Sequence, residues 1–207
     1  MPALKLRRCA AVFALAGFGF LMAQPTHAGD SEGRYAAKGP GLMPCSTFLS
    51  QLQSQGEGAT LAMVWFSGYL SAANAFIDDT YDLVSWQSDG MLANLLAGRC
   101  SQSPDRPLVS AANEVVQLIG SGRITSAEQP ERIKVGELER LIYPSVVRQI
   151  QQALKDNGQS LTVDGDFGPG TQRAIRSFQE NKGLETTGFP DALTLIALFT
   201  GQVPQQQ

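Results

Sequence analysis

Histidine is nearly missing from this sequence: 207 residues hold a single one, His27. Imidazole is the usual general base and a common zinc ligand. His27 also falls inside a segment read below as a leader, which leaves the mature chain with no imidazole. That excludes His-ligated zinc sites and every catalytic triad or dyad with histidine as base. Cysteine is scarce too, with three residues. No basic excess is present: 16 Lys and Arg face 19 Asp and Glu, a formal charge of −3. An acidic chain without a basic stripe argues against nucleic-acid binding. Low-complexity stretches are lacking as well. With 43% hydrophobic and 17% charged residues, the composition is that of a globular protein.

The N-terminus has the pattern of an export signal. Lys5, Arg7 and Arg8 precede an uncharged, mostly apolar run from Cys9 to Met22. As a helix that run is roughly 21 Å long, short of a bilayer core of about 30 Å. Gln24-Pro25 breaks it, and Thr26-His27-Ala28 offers a small-x-small cleavage site. Residues 1–28 are therefore expected to be removed on export, leaving a periplasmic chain from Gly29 without a membrane span. Cleavage takes away three basic groups and shifts the formal charge from −3 to −6. Two cysteines remain, Cys45 and Cys100. An even pair in an oxidising compartment predicts one disulfide. It closes a loop of about 55 residues, worth roughly 4 kcal/mol in the chain-entropy account. Neither thiol has an imidazole to activate it, so a catalytic cysteine is not expected.

Helical periodicity dominates the rest. Residues 42–120 read as helices at about Leu42–Leu52, Ala59–Ile77, Met91–Leu96 and Pro107–Ile119. In the longest, Leu61, Val64, Trp65, Phe66, Tyr69, Leu70, Ala73 and Phe76 recur at three- and four-residue spacing. Trp65, Phe66, Tyr69 and Trp86 are assigned to core rather than to a binding groove. Residues 121–141 are polar and charged and read as a linker, with a turn or two of helix over Val135–Leu141. Residues 142–200 read as three short helices. Gly158 ends the first, Pro169 opens the second, Lys182-Gly183 ends it, and Asp191 caps the third. The fold class expected is all-α: two small helical domains joined by a polar linker, the first holding the disulfide.

Two family resemblances emerge. Gly39-Pro40-Gly41-Leu42-Met43-Pro44-Cys45, the run Trp65 to Asn74, Thr80-Tyr81-Asp82 and Cys100 make residues 38–120 resemble the HdeA/HdeB-like proteins. That likeness implies a small secreted helical domain with one disulfide, and a role in holding a protein partner or in acid-stress chaperoning. Val147-Arg148-Gln149-Ile150-Gln151-Gln152-Ala153-Leu154, Val163-Asp164-Gly165-Asp166-Phe167-Gly168, Thr171, Ala174, Phe178-Gln179, Gly183-Leu184, Thr187-Gly188, Asp191 and Thr194 resemble the peptidoglycan-binding family of three-helix modules. The match departs from the family at Ile150, where Leu is usual, and at Gln159-Ser160, where many members carry Tyr.

The second resemblance implies peptidoglycan, chiefly its peptide stem, as partner. The ligand-binding candidates it supplies are Asp164, Gly165, Phe167, Gly168, Thr171, Phe178 and Gln179. Each has a structural alternative. The phenylalanines can be core, the glycines can serve backbone geometry, and Asp164, Thr171 and Gln179 can hydrogen-bond locally. Asp164-x-Asp166 lacks the further carboxylates of a calcium loop, so no metal or cofactor is expected. The functional expectation is a noncatalytic wall-binding protein. A wall-localised acid-stress chaperone and an accessory part of a cell-wall hydrolase are the alternatives.

Overall fold

A computed structural model describes residues 30, 32 and 34–203. The leader read at residues 1–28 lies outside the described residues. Contacts divide the chain into Met1–Ala36 and Ala37–Gln207. In the first unit Arg34 pairs with Asp30 at 3.0 Å.

The second unit has seven α-helices and one antiparallel hairpin among the described residues. Helices α1 (Cys45–Gln53), α2 (Glu57–Phe76), α3 (Asp89–Gln102) and α4 (Leu108–Ile119) build a first core. Their ends follow local signals. Ser88 caps α3 by accepting from the Met91 amide, and prolines 44 and 107 stand at the entrances of α1 and α4. The third helix runs further than the sequence suggested, through Cys100. The expected Cys45–Cys100 disulfide is present, with its Cα atoms 4.9 Å apart. It sits where three segments meet: the Cys45 amide donates to Arg106 O and the Leu108 amide to Met43 O. Phe48, Phe66, Leu96, Leu108 and Val115 fill the interior. Fully burying such side chains stabilises by roughly 1.5–3 kcal/mol each.

One periodicity expectation needs correcting. Leu61, Val64 and Phe76 share α2 with the buried Phe66 and Leu70, yet they are exposed, Phe76 by 82%. Together with Gly68 and Ala72 they form a second apolar stripe on the side of α2 away from the core. Apart from a polar strip of Thr60, Ser67, Ser71 and Asn74, the helix is largely apolar, and so wide an apolar arc gives periodicity no means of choosing which part of it is buried.

The all-α expectation is also corrected. The segment read as a polar linker contains β1 (Glu131–Val135) and β2 (Leu138–Ile142), paired antiparallel with Ile133 opposite Arg140. Val135–Leu141, expected to carry helical turns, is a strand end, a tight turn and most of a strand. Gly136, at φ +61°, supplies the positive φ that the two-residue loop requires. Ile133 and Ile142 point inward while Arg132 and Glu139 pair on the outside at 2.7 Å. This alternation of period two was present in Glu-Arg-Ile-Lys-Val but masked by charge content.

The hairpin contributes to a second core. Ile124, Ile133 and Ile142 pack with α5 (Pro144–Asp156), α6 (Pro169–Lys182) and α7 (Ala192–Thr200). The loop after α2 reaches the same core. Trp86 packs on Phe199 at 5.0 Å, and the Ile124 amide donates to Asp82 O. Arg140 donates to Trp86 O at 3.2 Å and Pro190 O at 3.0 Å. Burial pulls its pKa below the ordinary arginine value, and the nearby Asp191 carboxylate opposes that shift.

Candidate functional site: a groove beside two buried glutamines

The segment 144–200 repeats one device twice. Helix α5 carries Arg148-x-Ile150-Gln151, and α6 carries Arg176-x-Phe178-Gln179. Each glutamine is buried and holds the loop that follows its helix. Gln151 Oε1 accepts from the Asp164 and Gly165 amides at 2.9 and 2.8 Å. Its Nε2 lies within reach of Asp164 Oδ1, Asp166 O and Thr171 Oγ1 at 2.8–3.0 Å. Gln179 Oε1 accepts from the Gly188 amide at 2.7 Å. Its Nε2 reaches Thr187 Oγ1, Phe189 O and Thr194 Oγ1 at 3.2, 3.0 and 2.9 Å. Gly165 (φ +91°) and Gly188 (φ +75°) hold equivalent places, and a Cβ there would collide with Arg148 and Arg176 respectively. The positive φ favours glycine at both positions, and a side chain there would also have to displace the arginine above it. A buried amide group with all its atoms engaged fixes a loop firmly, because releasing any partner leaves it unsatisfied.

An open groove of about 680 Å³ lies beside the first of these loops. One wall is the α6 face made by Gly170, Arg173, Ala174 and Ser177, residues three and four apart. The other is the loop from Gln159 to Gly168, with Leu161, Asp164 and Asp166. Gln151 and Thr171 also line it. The loop geometry fixes Asp164: its Oδ1 accepts from Gln151 Nε2 and from the Asp166 amide at 2.9 Å. The Asp166 amide, then Gln151, hold its carboxyl below the ordinary aspartate range.

The sequence candidates divide between groove and interior. Asp164, Gly168 and Thr171 line the groove, although Thr171 is itself buried and bonded to Gln151. Gly165 is buried under Arg148, and Phe167 is half-buried against the second core. Phe178 lies in that core with Lys182 Nζ 5.7 Å above its ring. Gln179 is fully buried and serves the second loop, away from the groove. Gln151, Gln159, Ser160, Thr162, Asp166, Arg173 and Ser177 were not picked out as site residues. The spacing of Gly170, Arg173, Ala174 and Ser177 along a helix opened by Pro169 is the signal that could have found its outer wall.

Among the described residues no group of three or more His, Cys, Asp or Glu is placed to hold a metal ion, and no helix is long and apolar enough to cross a membrane. No curated protein and no solved structure matches the chain. Residues 144–198, the segment that carries both glutamine-held loops and the groove, match the family described as "Putative peptidoglycan binding domain".

Proposed function

We propose that this protein is a noncatalytic peptidoglycan-binding protein of the bacterial periplasm, and that the groove between α6 and the Gln159–Gly168 loop is its contact with the wall. The observation that carries the reading is that the family match coincides with the segment that builds the groove. The groove offers hydroxyls, amides and charges of both signs, which suits a sugar-peptide polymer. Its carboxylates come without the imidazole or activated thiol that wall amidases and transpeptidases need. In this reading the disulfide-bonded helical block is carried to the wall to hold a protein partner. The uncovered apolar stripe of α2 favours such a role.

Co-sedimentation of the exported chain with purified sacculi tests the proposal. The chain is expected in the pellet, and the turbidity of the sacculi is expected to stay constant. A chain that remains in the supernatant at every concentration would refute wall binding. Falling turbidity with the protein alone would refute the noncatalytic assignment.

A further inference from the structure

The charged groups of the groove are arranged for a ligand that carries both signs. Arg106, Arg123, Arg132, Arg140 and Arg148 each engage protein acceptors, while the Arg99 and Arg176 side chains, which do not line the groove, form no hydrogen bond or ion pair among the described residues. Arg173, on the helix wall of the groove, has no hydrogen bond or ion pair within the protein among the described residues. Across from it, Asp164 is held through Oδ1 by Gln151 and the Asp166 amide, which leaves Oδ2 without a protein donor. Asp166 is held through its main chain alone: its amide donates to Asp164, and its carbonyl accepts from Gln151, Thr171 and the Gly168 amide. Its carboxylate takes no protein donor. The groove thus presents one free guanidinium and two carboxylates, the latter on a loop fixed by a buried amide. Carboxylates so placed favour an ammonium, and a free guanidinium favours a carboxylate, which it can bind bidentately.

We propose that the groove selects an uncrosslinked diamino acid residue of the peptide stem, with its side-chain ammonium at Asp164 and Asp166 and a carboxylate of the stem at Arg173. The inference rests on the wall-binding reading above and makes it more specific. Crosslinking turns the side-chain amine into an amide. An amide nitrogen carries no positive charge and keeps a single N–H, so it satisfies two carboxylates poorly. The protein would therefore favour wall whose stems are still free over wall that is heavily crosslinked.

The test uses the exported chain and two preparations of the same sacculi, one untreated and one with its free amines acetylated. Wild-type protein should bind the acetylated sacculi about tenfold more weakly, a difference equivalent to about 1.4 kcal/mol. Arg173→Gln and Asp166→Asn should each weaken binding to untreated sacculi. On acetylated sacculi Asp166→Asn should change little, because its partner is already neutral. Both side chains are exposed, so the variants should keep the wild-type circular dichroism and melting. Equal binding of wild type to both preparations, or full binding by folded Arg173→Gln, would overturn the diamino-acid assignment while leaving wall binding intact. Failure of wild type to bind either preparation would instead sink the wall-binding reading itself.

Discussion

At the scale of single residues, the two buried glutamines determine more than any exposed group. From sequence Gln179 reads either as a ligand contact or as a group that hydrogen-bonds locally, and the structure gives the second. Gln179 is the hub of the loop between α6 and α7. Gln179→Ala leaves the Gly188 amide without a partner and takes one of two donors from the Phe189 carbonyl, which keeps the Asp191 amide; an unmet buried group costs about 1–3 kcal/mol. A small domain has little stability to lose. The variant should unfold at clearly lower urea than wild type, whereas Gln172→Ala, one helix face away, should not. Equal midpoints would show that the hub is dispensable.

Glu114 carries a pH prediction. Its hydrogen bond from Arg106, which also donates to Arg99 O, holds its carboxyl below the ordinary glutamate range. A depressed folded pKa adds stability that is fully present above the unfolded value. That stability is lost as pH falls through the lowered folded value. Urea midpoints measured down a pH series should drop on this acid limb, and Glu114→Gln should flatten the drop. A Glu114→Gln protein with an unchanged acid limb would assign that loss to other carboxylates.

At the scale of elements, the hairpin is the main departure from the sequence reading, and it changes where the C-terminal module begins. A fragment cut at Ile142 follows the expected domain boundary but discards Ile124 and Ile133, both buried in the second core. Burial of each is worth roughly 1.5–3 kcal/mol. A fragment of residues 121–207 should therefore melt well above one of residues 142–207 when both are followed by circular dichroism. Coincident melts would mean that the hairpin contributes nothing to the module. Helix ends, by contrast, were legible: Pro169, Gly183 and Asp191 act within a few residues of themselves, and each stands where its local chemistry places it.

At the scale of the whole molecule, the loop after α2 links the two cores: Leu83 is buried in the first, while Trp86 packs on Phe199, Tyr81 meets Tyr143, and Arg140 donates to the Trp86 carbonyl. These contacts predict cooperative unfolding of both cores. Calorimetry of the wild-type chain should give one transition, and Trp86→Ala should split it in two. Two transitions already in wild type would show that the cores melt independently.

The sequence by itself determined what short windows can encode. Helix caps and starts, the period of α5 and α6, the glycine turns, the pairing of two cysteines and the resemblance of residues 142–200 to a wall-binding module all rest on residues near one another in the chain or on simple counting. Only the tertiary structure decided which face of α2 is covered, because its apolar residues span more of the helix than one neighbour can cover. It also decided that a charged segment pairs as a hairpin, since strand formation there depends on a core that receives Ile133 and Ile142. The division of the polar candidates followed from the same cause. Gln179 and Asp164 have similar local chemistry, but the second core encloses one, while a groove between helix and loop leaves the other at its surface. Burial depends on the sum of distant contacts, and no window of sequence contains that sum.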